Sequence, residues 1–288
     1  MALLTEREMF VLPGAINIWL LTEQIVSRIT EAFQQLKRQG KKGFIPFITA
    51  GDPDLQITHD LILELSRVGA SVIELGVPFS DPMADGPVIQ RASERALRHG
   101  FGLSEILDVL RDARKQTEIP IVLFSYFNPL LQFGLEKLIR EAEHAEIDGI
   151  LVTDLIPEEA GRLSAMLRAH ELDLIFLAAP TSTDVRLKLI AERATGFIYA
   201  VSRAGVTGTR EDLSTEAEKL VRRVRQFSDL PVAVGFGISK PEHVRDVWRY
   251  ADASVVGSAI VEMVEQNAQG PDAVQKIGEF AASLIAHN

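Results

Sequence analysis

Short apolar segments alternate with longer amphipathic segments along most of the chain. Eight of the short segments are rich in β-branched and aromatic residues and show no strict alternation of apolar and polar positions. This pattern is typical of parallel strands that are buried on both faces. We therefore predict a strand in each of them: FIPFI (44–48), SVIEL (71–75), IVLFS (121–125), GILVT (149–153), DLIFL (173–177), FIYAV (197–201), VAVGF (232–236) and ASVVG (253–257).

The segments between these strands have the period of amphipathic helices. One apolar stripe contains Ile57, Leu61, Ile62, Leu65 and Val68. Two further stripes contain Leu135, Leu138, Ile139 and Ala142, and then Val244, Val247, Trp248 and Ala251. Proline and capping residues are expected to open several helices, at Pro53, Pro157, Thr183, Pro241 and Pro271.

Eight strands alternating with helices over about 240 residues predict a single-domain (β/α)₈ TIM barrel of the α/β class. An open doubly wound sheet is the alternative, but it usually shows G-x-G-x-x-G after its first strand. The sequence has TAGDPDL at that position. We predict a catalytic barrel over residues 23–288 and a short N-terminal extension of unknown role over residues 1–22.

Composition excludes several classes of function. The net charge of −10 argues against nucleic acid as a partner, because phosphate backbones require basic surfaces. The chain has no cysteine, and its six histidines lack the paired spacing of metal ligands. No apolar run approaches the ~20 residues that span a bilayer, and residues 10–21 lack the flanks of a signal peptide. We expect a cytoplasmic protein with no membrane association and no metal.

Three acids stand close together in ELGVPFSDPMADGP (74–87), directly after the second predicted strand. Active sites of such barrels lie at the carboxyl ends of the strands. Glu74 would be buried within VIELGV, which is costly for an isolated carboxylate without a function or a partner. Asp81 and Asp85 fit equally well as functional groups or as surface acids, and Pro78 with two further prolines would stiffen their loop.

Two glycine-rich turns follow the last two strands, and phosphate sites of these barrels are often built there. Their candidate anion-binding residues are Gly235, Gly237, Gly257 and Ser258. A third turn, SRAGVTGTRE (202–211), is either a mobile lid or an ordinary loop.

The motifs together resemble one family. IELGVPFSDPMADG (73–86) matches the signature of the tryptophan synthase alpha subunit family. FIPFITAGDP, YFNP, FLAAPTSTD, VSRAGVTG, GFGIS and VGSAIV occur in that family's order. The resemblance covers residues 23–285. It implies a lyase that cleaves indole-3-glycerol phosphate to indole and glyceraldehyde 3-phosphate.

The resemblance also implies partners. The chain would form an α₂β₂ heterotetramer with a beta subunit, which binds pyridoxal phosphate and converts the indole to L-tryptophan. No cofactor is expected in this chain. One departure from the family pattern is Ile156, which stands where a proline usually follows Asp154-Leu155.

Site roles follow from the resemblance residue by residue. Glu74 and Asp85 match the two catalytic acids. The matched substrate-binding residues are Phe47, Tyr126, Tyr199, Gly208, Gly237, Gly257 and Ser258. Asp81 and Thr207 match the pair through which the lid closes. The loop with Val77, Pro78, Phe79 and Met83 is expected to present apolar surface to the beta subunit.

Two other functions stay open at this point. One is a stand-alone indole-3-glycerol phosphate lyase that releases free indole and needs no beta subunit. The other is a non-catalytic barrel that serves as a binding subunit. The presence of Glu74, Asp85 and the glycines counts against the second, because a scaffold does not need a buried acid.

Overall fold

A computed structural model describes residues 26–201, 210–235, 237–268 and 270–286, with the side chains of residues 210–214 excluded. Its strands are β1 (Gly43–Thr49), β2 (Ile73–Gly76), β3 (Ile121–Ser125), β4 (Gly149–Val152), β5 (Asp173–Ala178), β6 (Ile198–Val201), β7 (Val232–Gly235) and β8 (Ala253–Val256). Its helices are α1 (Arg28–Gln39), α2 (Leu55–Arg67), α3 (Pro87–Leu97), α4 (Leu103–Ala113), α5 (Phe127–Phe133), α6 (Leu135–His144), α7 (Gly161–Ala169), α8 (Asp184–Arg193), α9 (Arg210–Val224), α10 (Pro241–Trp248), α11 (Ser258–Asn267) and α12 (Ala273–Ile285).

The strands close into a parallel barrel in chain order, and β8 pairs with β1. The predicted (β/α)₈ fold is therefore confirmed, and the open sheet is excluded because β1 has a strand on each side. Every predicted strand is present, with its ends shifted by no more than two residues. None of the helices in the described ranges combines the length and the hydrophobicity needed to cross a bilayer.

Both faces of the strands are buried, which explains the absence of strict alternation. Side chains such as Ile45, Val122 and Ile175 fill the barrel interior. Their neighbours along the strands, such as Phe44 and Leu123, pack outward against the helices. The predicted helix stripes supply the other side of that outer layer.

Helix starts were predicted less well than strands. Thr183 caps α8 and Pro241 is the first residue of α10, as predicted. The other three helices begin two to four residues after the predicted proline. At α2 the cap is Asp54, whose carboxylate accepts a hydrogen bond from the Ile57 N–H at 2.8 Å.

Helix α1 closes the amino-terminal end of the barrel, and the sequence pattern did not predict it. Its Ile29 and Phe33 pack into the barrel interior. Ser27 Oγ donates to Asp173 Oδ2 at 2.6 Å, and Arg28 Nε donates to Asp148 Oδ1 at 2.5 Å. With this floor in place, the interior opens only at the carboxyl ends of the strands in the described part of the chain.

Candidate active site

Glu74 lies inside the barrel near the carboxyl end of β2. Val72 packs into the barrel interior, so Glu74, two residues later, faces the same way. Its side chain is 1% exposed, and Oε1 has no hydrogen-bond partner among the described residues. Burial raises the pKa of this carboxyl to about 8. Glu74 is therefore mostly protonated at neutral pH and can donate a proton.

Tyr199 on β6 lies across the interior near Glu74. Its apolar surroundings, and then the carboxylate of Glu74, raise the pKa of its hydroxyl. A Cβ atom on Gly235 would overlap the Tyr199 hydroxyl oxygen. Glycine at position 235 therefore leaves space for the Tyr199 side chain. This explains on structural grounds why glycine occupies a position that the sequence predicted to contact an anion.

Asp85 lies at the rim, in the loop between β2 and α3. Burial raises its pKa to about 6, although a hydrogen bond from Tyr126 acts in the opposite direction. The Tyr126 hydroxyl also accepts from the Ala84 N–H at 2.9 Å, and Gln90 Nε2 donates to the Asp85 carbonyl at 2.9 Å. These contacts hold the Asp85 loop over the barrel. Asp85 is mostly ionised at neutral pH, the reverse of Glu74.

Two aromatic side chains, Phe47 and Phe124, line the cleft that contains Asp85. The rings of Phe47 and Phe124 meet edge to face, with centroids 5.2 Å apart. Phe47 pairs with Glu74 in the β1–β2 register. The Phe47 ring therefore lies on the strand next to the buried acid, and its role in binding the substrate stays a prediction.

The two glycine turns lie at the same end of the barrel. Gly237 has a φ of +70°, a conformation that favours glycine. Gly257 is the N-cap of α11 and Ser258 is its first residue. A Cβ atom on Gly257 would meet nothing closer than 3.6 Å, so the fold itself does not require glycine there. Thr207 and Gly208 lie outside the described residues.

Known proteins with this sequence pattern are closely related to the chain. Residues 33–286 match the family model described as tryptophan synthase alpha chain. Relatives of that name from Solibacter usitatus and Citrifermentans bemidjiense are 50% and 48% identical over 259 residues, which is 90% of this chain and 97% of each relative. The chain belongs to this family.

Solved structures of the family have the same fold. Tryptophan synthase subunit alpha from Legionella pneumophila aligns with a TM-score of 0.83 at 38% identity, covering 90% of this chain and 97% of that one. A chain of the tryptophan synthase α₂β₂ complex from Pyrococcus furiosus aligns with a TM-score of 0.79 at 41% identity, covering 85% and 98%. Membership of the family makes this chain a lyase of tryptophan biosynthesis that cleaves indole-3-glycerol phosphate.

The Asp81–Asp85 loop presents less apolar surface than we expected. Pro78 is buried, and Phe79 stacks at a tilt on Tyr126 with centroids 5.1 Å apart. Val77 packs against the outer core layer. The expectation was wrong for Pro78, because the loop folds back onto its own barrel, whereas Val77 and Phe79 are partly buried. Only Met83, 92% exposed, projects into solvent as expected.

Sequence reasoning missed three residues of the site. Phe124 packs edge to face on Phe47 in the cleft that contains Asp85, and Gln90 of α3 donates to the Asp85 carbonyl. Thr49, at the end of β1, lines the cleft that contains Asp85. The only signal for Thr49 and Phe124 was their position at the carboxyl end of a predicted strand, which many residues share.

Proposed function

We propose that Glu74 and Asp85 are the catalytic pair for cleavage of indole-3-glycerol phosphate. The observation that supports this assignment is the state of Glu74, a fully buried carboxyl without a partner whose pKa is raised to about 8. A group that is protonated in the resting protein and can return to that state suits a reaction that begins and ends with a proton transfer.

The proton balance of the reaction requires one such group. Neutral Glu74 gives its proton to C3 of the indole ring. The resulting carboxylate takes the proton of the C3′ hydroxyl as the bond between C3 and C3′ breaks. Indole and glyceraldehyde 3-phosphate leave, and Glu74 is again protonated. Positive charge develops on the ring in between, and the ionised Asp85 stabilises it. The electron pair of the broken bond returns to the protonated ring, so proton transfers by Glu74 and the charge of Asp85 suffice, and the chain needs no cofactor of its own.

The remaining site residues position the substrate in this proposal. Phe47 and Tyr126 line the indole pocket, and Tyr199 lies beside the reacting centre. Backbone N–H groups of the two glycine turns and the start of α11 bind the phosphate. Their residues are Gly235, Gly237, Gly257 and Ser258, and Gly208 of the turn at 202–211 joins them.

Gly257 provides a test of the phosphate site. Because a Cβ atom fits there, Gly257→Ala and Gly257→Asp should both fold. The added carboxylate should weaken glycerol phosphate binding by about 10- to 100-fold, since like charges a few ångströms apart repel strongly near a protein surface. Titration calorimetry measures this. Gly161→Asp is the control: it adds a carboxylate at the start of α7, again with free space, and should leave the affinity unchanged. Equal affinity in the wild type and Gly257→Asp would place the phosphate elsewhere.

The partner in this proposal is a tryptophan synthase beta subunit in an α₂β₂ tetramer. Similarity to a chain of the Pyrococcus furiosus complex supports it. Pyridoxal phosphate then belongs to the beta subunit, and the indole passes to it for tryptophan synthesis. We also propose a cytoplasmic location, which membership of the family supports, and residues 1–22 remain a predicted extension ahead of the catalytic barrel.

The experiment that tests the function is a direct assay of indole release, with and without a beta subunit. The beta subunit should bind and raise the rate by about 5- to 150-fold, the usual range of coupling between sites.

Asp81 is exposed, and its carboxylate accepts only from Ser80 Oγ at 3.1 Å within the described residues, so it can pair with Thr207 of the lid. Asp81→Asn and Thr207→Val should therefore remove most of the gain while the beta subunit stays bound in a pull-down. Full activity without any binding would instead favour the stand-alone lyase.

A further inference from the structure

Thr49 has a buried hydroxyl group without a partner. The residue ends β1, is 4% exposed, and pairs with Gly76 of β2. Its Oγ1 makes no hydrogen bond to any described residue. Buried polar atoms of native proteins nearly always have a partner, so this oxygen is available to a water molecule or to a bound ligand.

The cleft beside Thr49 leaves its oxygen available to a ligand. Thr49 and Asp85 line the same cleft, at the carboxyl end of the barrel. Two other hydroxyl groups of the lining are engaged: Ser125 Oγ donates to the Tyr126 carbonyl at 2.9 Å, and the Tyr126 hydroxyl accepts from the Ala84 N–H at 2.9 Å. Within the described lining, Thr49 Oγ1 is thus the buried side-chain oxygen left unpaired.

Apolar side chains lie close to this oxygen in the cleft. Phe47, Phe124 and Ile89 line it together with Thr49 and Asp85. The indole group of the substrate presents one polar group, its ring N–H. The Thr49 hydroxyl can accept a hydrogen bond from that donor, and its own proton remains free to turn toward the carboxylate of Asp85.

We propose that Thr49 is a substrate-contacting residue whose hydroxyl oxygen accepts a hydrogen bond from the ring N–H of the indole group. The inference rests on the proposed function and extends it, because it makes recognition of the ring nitrogen the work of two residues, Thr49 and Asp85. It also predicts an unusual combination: removing the hydroxyl should weaken binding of indole without weakening the fold.

The experiment compares indole with indene, which has CH₂ in place of the ring N–H, as competitive inhibitors of indole-3-glycerol phosphate cleavage. Thr49→Val keeps the shape of the side chain and should weaken indole by about 5- to 10-fold, the usual worth of one neutral hydrogen bond. Its affinity for indene should change less than about twofold on the same argument. Thr49→Ser, which retains the hydroxyl, should keep most of the indole affinity.

Ser254 on β8 supplies the matched control. Its hydroxyl is also buried and unpaired among the described residues, but it faces the helix layer, since Ala253 and Val255 on either side point into the barrel. Ser254→Ala should therefore change the affinity for neither inhibitor. The urea midpoint of Thr49→Val should equal or exceed that of the wild type, because no hydrogen bond within the protein is lost.

Two results would overturn the inference. If Thr49→Val loses affinity for indole and indene equally, the residue shapes the cleft and does not accept a hydrogen bond from the ring N–H group. If its affinity for indole is unchanged, a water molecule satisfies the hydroxyl. A wild-type protein that neither cleaves the substrate nor binds indole would contradict the proposed function itself, so the two failures are distinguishable.

Discussion

Replacing Glu74 by glutamine should lower the rate of indole formation by at least ~100-fold, the typical loss on removing a general acid–base. The glutamine would keep the shape of the side chain but could neither protonate C3 of the ring nor accept the proton of the C3′ hydroxyl. A direct indole assay at saturating substrate measures the loss. A variant that retained most of the rate would contradict the assignment.

The same substitution should raise stability in alkaline solution. The unfolded chain ionises Glu74 near its ordinary pKa of 4.5, whereas the folded chain holds the proton until about pH 8. Between these values the unfolded state binds fewer protons, so the free energy of unfolding falls as the pH rises. At ~1.4 kcal/mol per pH unit the loss amounts to roughly 5 kcal/mol above pH 8. Glutamine does not ionise, so Glu74→Gln does not show this loss of stability.

Urea denaturation at pH 5, 7 and 9 checks this expectation. Glu74→Gln should exceed the wild type only slightly at pH 5 and increasingly at pH 7 and 9. Glu94→Gln is the control, because Glu94 is exposed on α3 and its replacement should change neither the rate nor the pH dependence. Parallel curves for wild type and Glu74→Gln would mean that Glu74 ionises in the fold as it does in water.

Replacing Asp85 by asparagine should lower kcat/KM by about 10²- to 10³-fold, as is usual when one charge-stabilising group is removed. In the wild type, activity requires Asp85 ionised, which holds above about pH 6, and Glu74 protonated, which holds below about pH 8. The profile of kcat/KM should therefore be bell-shaped, with its maximum near the midpoint of those two values. Asp85→Asn should abolish the acid limb and keep the alkaline limb.

The substrate complicates the acid limb, because a phosphate monoester also titrates near pH 6. The variant separates the two sources. If the activity of Asp85→Asn still falls between pH 7 and pH 5.5, the phosphate of the substrate controls that limb. If the fall disappears, Asp85 does. Measuring both proteins on the same substrate preparation makes the comparison direct.

The barrel could be predicted because both faces of its strands are buried. Strands of this kind appear in the sequence as continuous apolar runs. Glu74 stood out for the same reason: a carboxyl within VIELGV has no solvent-facing side to occupy. Local pattern was sufficient in both cases. It also located the aspartates after β2, although it left their role open.

Features that depend on distant residues could not be predicted from local pattern. Gly235 resembles any glycine that ends a strand, and only the position of the Tyr199 hydroxyl shows why a side chain is excluded there. Thr49 is an ordinary strand residue until the absence of a partner for its hydroxyl among the described residues is known. Pro78 was expected at the surface as part of an apolar patch for the beta subunit, but the loop folds inward, and Phe79 packs on Tyr126.

Helix α1 has a consequence for synthesis on the ribosome. It emerges early, yet its polar anchors, Asp148 and Asp173, lie 120 and 146 residues from Arg28 and Ser27. At about 5–20 residues per second, the nascent helix waits roughly 6 to 30 seconds for them. During that time Ile29 and Phe33 have no barrel interior to enter. Helix α1, which later closes the amino-terminal end of the barrel, therefore exposes apolar surface during this time, and chaperones can bind it.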